Sequence, residues 1–240
     1  MKSTFFQRIT IALLLSLSSF ALSAQEYLYE IGGMAGGAFY MGDANNNAAF
    51  RNMNPAAGAL FRYNVNFRTA LKANLAYARV TGSTQGLQNV FPNNEQAAFE
   101  RNVIDLGVQG EFNFFPYSDK YKYLYTKRIS PYIAGGLGFS ASPGSGGGNM
   151  FFSPHISVGT GVKYKLKPRI NIGAELSIRK LFGDGLDTMG DNQLLDNPYK
   201  ITSGMFKNKD WYSMLVITVT YDFGLRDCKC NKDNKVNIRY

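Results

Sequence analysis

RNVIDLGVQGEFNFF, running from Arg101 to Phe115, sorts its side chains into two faces by strict alternation. Ile104, Leu106, Val108, Phe112 and Phe114 fall on one face, and Arg101, Asp105, Gln109, Glu111 and Asn113 on the other. Successive side chains of a strand point to opposite sides, so this is a strand with one apolar and one charged face. Its length decides what kind. Strands of soluble proteins run about 5 to 6 residues, whereas crossing an outer membrane at a tilt takes about 9 to 11. The stretch is long enough to cross, and the spacing predicts a transmembrane β-strand with its apolar face toward lipid.

The same pattern recurs. Working outward, eight strands are expected, and together they predict an all-β, eight-stranded antiparallel transmembrane up-and-down β-barrel of the outer membrane. Tyr27 to Tyr40 sets Tyr29, Ile31, Ala35 and Phe39 against Glu30, Gly32, Gly36 and Tyr40. Ala56 to Tyr63 turns at Asn64-Val65-Asn66 into a strand where Leu71, Leu75 and Tyr77 oppose Lys72, Asn74 and Ala76. Pro131 to Ser140 carries Ile133, Leu137 and Phe139 outward. Ile156, Val158, Val162 and Tyr164 oppose Ser157, Gly159, Gly161 and Lys163; after Lys167-Pro168, Ile170, Ile172, Leu176 and Ile178 oppose Asn171, Glu175 and Arg179. Trp211 to Phe223 closes the series, with Leu215, Ile217, Val219, Tyr221 and Phe223 against Tyr212 and Asp222. Long connections at Asp43–Pro55, Gly82–Ala98, Ser142–Pro154 and Gly183–Asp210 alternate with shorter turns, the phasing of long outer loops and short periplasmic turns. A secreted β-sandwich also alternates, but its strands are shorter and it does not gather aromatics such as Tyr27, Tyr77, Tyr164, Trp211 and Phe223 near strand ends.

Residues 1–24 read as an export signal: Lys2 and Arg8 precede the apolar run Ile9–Leu22, which is too short to span as a helix. Cleavage after Ser23 or after Ala24 fits equally, and no cysteine follows to suggest lipoprotein processing. The barrel is expected over 25–225 and a periplasmic tail over 226–240. The net charge of +9 falls to +7 once Lys2 and Arg8 are removed. Its basic residues are scattered and the chain is exported, which points to membrane phosphates or an acidic partner and away from nucleic acid.

By phase, Glu30, Arg62, Lys72, Asp105, Glu111, Lys163, Glu175 and Arg179 face inward. An eight-stranded barrel is just wide enough for side chains to fill it, so the expectation is a plug of ion pairs, with Asp105, Glu175 and Arg179 neutralising one another. Gly135-Gly136-Leu137-Gly138 has no helix after it and is no nucleotide loop, and no cofactor or metal set is legible. The single histidine, His155, sits at the outer end of its strand with Ser153, Ser157 and Ser213 as conceivable neighbours, but no third group is evident to orient a hydrolase-type imidazole. The plainer reading is a rim residue. Cys228-Lys229-Cys230 would be a labile disulfide, a link to a partner, half of a metal site, or two free thiols in the tail. Pro116–Ser130 breaks the short-turn rule and packs Tyr117, Tyr121, Tyr123 and Tyr125 among Lys120, Lys122, Lys127 and Arg128. It reads either as an interfacial girdle with snorkelling cations or as a docking surface for a periplasmic partner.

The segments YEIGGMAGGAFYMGDANN (Tyr29–Asn46), FRYNVNFRTALKANLAYARVTG (Phe61–Gly82), IDLGVQGEFNFFPYSDKYKY (Ile104–Tyr123), KRISPYIAGGLGF (Lys127–Phe139) and TVTYDFG (Thr218–Gly224) resemble the PorG-type outer-membrane barrels of the type IX secretion system. FNFFPYSDKY with RISPYI is the most distinctive part, whereas Val219-x-Tyr221-x-Phe223 is common to many barrels. The resemblance implies an apparatus subunit rather than an enzyme, associated with a periplasmic ring of lipoprotein and soluble partner; the alternatives are a general small barrel for adhesion or small-molecule passage and a lipid-modifying barrel enzyme built on His155. It offers no catalytic residues to carry over, and it strengthens the docking reading of Tyr117–Arg128, with Cys228 and Cys230 as further partner-contact candidates.

Overall fold

The computed structural model describes residues 27–41, 53–83, 98–118, 125–143, 151–182 and 211–225. The expected leader and the tail fall outside them. Eight strands follow one another: β1 (Tyr27–Met41), β2 (Asn54–Asn64), β3 (Thr69–Ser83), β4 (Ala98–Asn113), β5 (Ile129–Ser142), β6 (Phe151–Lys167), β7 (Ile170–Leu181) and β8 (Trp211–Leu225). Each pairs antiparallel with its neighbours, and β1 pairs with β8 from Tyr27↔Leu225 to Met41↔Trp211, closing the barrel. Closure leaves no unpaired sheet edge, which is what a strand protein needs to place backbone amides in hydrocarbon.

Alternation puts the apolar side chains outside. Leu106 is 55% exposed, Leu137 66%, Val158 62% and Ile217 62%, while Asp105, Ser140, Ser157 and Glu111 on the opposite phase are buried. A water-soluble sandwich buries its apolar face between sheets; here the apolar face covers the outside of the barrel, and only a lipid environment shields it from water. The strands span 11 to 17 residues, ample for a tilted crossing. Aromatic clusters stand at the strand ends, as in Tyr29 with Phe61, Tyr63 and Phe223.

The β2–β3 turn is built locally. Asn66 Oδ1 accepts from the backbone N–H of Arg68 at 2.8 Å and of Thr69 at 2.7 Å, so one side chain satisfies two turn amides. The β6–β7 turn occupies only Pro168 and Arg169. Both turns and both barrel termini lie at one end, the short-turn end.

Three expectations on the strands need correction. The strands reach further into the loops than the sequence suggests, because the ladders continue through Pro55 and Pro154, each of which forgoes one amide donor without ending its strand. Phe39, assigned by phase to the outward set, is buried, as is its partner Ser213, so both faces of the sheet are covered at this corner of β1 and β8. The interior is also not uniformly polar. Met34, Leu60, Val80, Val103, Leu181 and Met214 belong to a buried apolar cluster between β1, β2, β3 and β8 and the adjoining strand ends.

Candidate functional site

The inward charges form a stack of paired groups. In the middle, Arg62 bridges two carboxylates: Nη1 bonds Glu30, and Nη2 donates to Glu111 Oε1 at 3.2 Å. Glu30 also accepts from Asn64 at 3.0 Å and Thr220 at 3.1 Å. Glu111 pairs further with Lys163 and lies 3.5 Å from Lys72 Nζ. Lys72 Nζ reaches both oxygens of Glu175, at 2.8 and 2.6 Å, and Tyr132 OH donates to Glu175 at 2.5 Å. Glu175 is therefore bonded to Lys72, and Arg179 to Asp105, a correction to the expected triad. The partner switches because Lys72, on β3, reaches across the lumen to β7.

Toward the short-turn end, Lys165 Nζ meets Asp222 Oδ2 at 2.5 Å, Asn171 Nδ2 donates to Asp222 Oδ1 at 2.6 Å, and Tyr117 OH donates to Asn171 Oδ1 at 2.9 Å. Toward the long-loop end, Asp105 Oδ2 accepts from Arg179 Nε at 2.9 Å and Tyr212 OH at 2.6 Å, and Oδ1 from Asn74 at 2.9 Å. His155 joins this cluster: Nδ1 lies 3.0 Å from Ser140 Oγ, and Nε2 lies 3.4 Å from Asp105 Oδ2. The third group that sequence reasoning did not find is thus Asp105, and the serine is Ser140, not Ser153, Ser157 or Ser213. All three are inaccessible: Ser140 and Asp105 are 0% exposed and His155 1%. With Ser140 also bonded to Tyr212 OH at 2.8 Å, the cluster ties β4, β5, β6 and β8 together.

A lumen lined by paired side chains in this way is expected to leave no continuous water path, as in other eight-stranded barrels of this width. The purified protein inserted in planar bilayers is expected to show no steady open-pore conductance; a large, lasting conductance at low voltage would show that the network opens.

The short-turn end also holds the β4–β5 connection, whose ends are pinned. Lys127 N–H donates to Pro116 O at 2.8 Å and Ser118 N–H to Lys127 O at 3.2 Å. Tyr117, proposed from sequence as a surface contact, turns into the barrel mouth and is 2% exposed. Tyr125 does the opposite: it stands 86% exposed at φ 55°, a left-handed conformation uncommon for a tyrosine. Lys127 and Arg128 are exposed beside it, with Lys127 Nζ 4.0 Å above the Phe115 ring. Lys120, Tyr121, Lys122, Tyr123, Cys228 and Cys230 lie outside the described residues. Sequence reasoning passed over Arg169, whose guanidinium donates to Tyr221 OH at 3.0 Å and Tyr27 OH at 3.3 Å, bonds that raise its already high pKa.

Residues 7–232 match a family model described as a domain of unknown function, DUF6089. No curated protein matches the sequence. Among solved structures, the chain is similar to Neisserial surface protein A (15% identity, 81% of this chain and 97% of that one, TM-score 0.48). It is similar also to Ail, the attachment invasion locus protein of Yersinia pestis (12%, 82% and 98%, TM-score 0.43), and to the outer membrane protein OprG of Pseudomonas aeruginosa (10%, 84% and 98%, TM-score 0.45).

Proposed function

We propose, for a chain that belongs to the DUF6089 family and whose family description assigns no activity, that this barrel is a non-enzymatic outer-membrane subunit of a type IX protein secretion apparatus. It anchors or positions a periplasmic ring of lipoprotein and soluble partner, with the short-turn end and both termini in the periplasm. The observation that carries this reading is the β4–β5 connection: on an end where the other two turns are tight, this one is long, pinned at its base, and leaves Tyr125, Lys127 and Arg128 exposed. Tyrosine beside lysine and arginine suits a contact of large area and few lost rotamers. The resemblance of FNFFPYSDKY and RISPYI to PorG-type barrels supports the same assignment. A filled lumen argues against small-molecule passage as the main task.

Replacing Tyr121, Tyr123 and Tyr125 together by alanine is expected to abolish secretion of cargo while the barrel still accumulates, folded, in the outer membrane. Normal secretion by that triple variant would refute the assignment of the docking face.

A further inference from the structure

The outer wall carries a groove of about 920 Å³, almost wholly apolar. It follows one row of paired residues across six strands: Tyr63, Leu71, Gly110, Gly135, Val158 and Ile178. Bulky residues form its ends, and the two facing glycines form its floor. A Cβ built on Gly135 would meet nothing within 4 Å, and one on Gly110 only Gly135 O at 3.9 Å, so this is open outward space. Because strands in a barrel are tilted, a row perpendicular to them climbs the wall. The groove therefore rises from Tyr63, at the short-turn end of β2, toward Ile178, near the opposite end of β7.

Exposed cations stand beside its foot. Val65 and Thr69 line it there, and Arg68, exposed in the same turn, donates from Nη1 to Phe114 O at 3.4 Å, holding the turn against the strand that leads to Phe115 and Lys127. Arg128 is exposed next in sequence. Among the described residues the one exposed carboxylate, Glu100, belongs to the other end of the barrel and is paired with Arg79.

We infer that this groove and the cations at its foot form a binding site for one phospholipid with an anionic headgroup. An acyl chain lies over Gly110 and Gly135, and the phosphate meets Arg68, Lys127 and Arg128. Two independent features converge on that ligand: an apolar channel continuous with the lipid-facing wall, and a cluster of one sign of charge at the level where a headgroup ends. The cations stand beside outward aromatics, as Lys127 does over Phe115, which places them at the membrane boundary rather than out in the aqueous phase. The site does not depend on the secretion reading.

The test uses the purified full chain in detergent, without any partner, titrated with phosphatidylglycerol or phosphatidylcholine and read by native mass spectrometry. Phosphatidylglycerol should be retained at least about tenfold better, since each surface cation contributes several-fold to anionic-lipid binding. Arg68→Gln/Lys127→Gln/Arg128→Gln should bring the two lipids to parity. Gly110→Leu/Gly135→Leu, whose Cβ atoms find no neighbour closer than 3.9 Å, fills the floor and should weaken both. Equal retention of the two lipids by the wild type, or an unchanged preference in the cation variant, would overturn the site. A phosphatidylglycerol carrying a photoreactive acyl chain gives a reading free of any folding defect: on the wild type it should label β3 and β6, and labelling confined to the β1–β8 side would equally overturn the proposal.

Discussion

Arginine in place of Leu106, Val158 or Ile217 is expected to destabilise the folded protein by about 2 to 4 kcal/mol at each position. These side chains sit near the middles of β4, β6 and β8 and are 55%, 62% and 62% exposed. On a water-soluble protein such exposed sites would accept arginine within about 0.5 kcal/mol. On a membrane barrel the guanidinium must be dragged into hydrocarbon or reach for the boundary with the bilayer deformed around it. Leu225 supplies the internal control: it is 63% exposed but stands at the last residue of β8, so Leu225→Arg should cost close to nothing. Urea unfolding from lipid vesicles, read by heat-modifiable mobility, measures all four. Indifference at the three central sites would return the chain to the soluble β-proteins.

Removing the charge of Glu111 should cost about as much, on the order of 3 to 5 kcal/mol, for a different reason. Its carboxylate is shared by Arg62, Lys163 and Lys72, all buried, and Glu111→Gln leaves those cations facing one another with Glu30 and Glu175 alone to balance them. A charge stripped of its partner and kept from water costs more than the pair contributed. The double variant Glu111→Gln/Lys163→Met should therefore be more stable than Glu111→Gln itself. Strictly additive losses would mean that water reaches the network and that the lumen is not a dry plug.

The contrast between these two regions explains what could be read from the sequence. Outward residues obey a rule of period two and little else, so Leu71, Leu75, Leu106 and Val158 were legible one by one, as was the closed eight-stranded arrangement that their repetition implies. Inward residues are legible only as a set. That Glu175 faces the lumen follows from its phase, but that it bonds Lys72 rather than Arg179 depends on which strands lie across from each other and how far each is sheared. Ser140, His155 and Asp105 meet from three strands for the same reason, and no spacing along the chain announces them. The apolar cluster around Met34, Leu60 and Val103 was hidden because a mixed lumen has no period of its own. At the short-turn rim, Tyr117 and Tyr125 look alike in sequence, yet one closes the barrel mouth onto Asn171 and the other stands free, a difference set by the bridge between Tyr117 and Lys127. Gly110 and Gly135 show least of all in a sequence, since a groove in a wall is made by what the side chains leave out.

Photo-crosslinking in living cells reads whether the short-turn face of this barrel holds a periplasmic assembly, as proposed. A photoreactive amino acid is placed at Tyr125, with Leu137, 66% exposed on the lipid-facing wall, as the matched control. An adduct is expected between the Tyr125 position and a periplasmic subunit of the secretion apparatus, and lipid adducts alone from the Leu137 position. Lipid adducts alone from Tyr125, or the same protein captured from both positions, would contradict it.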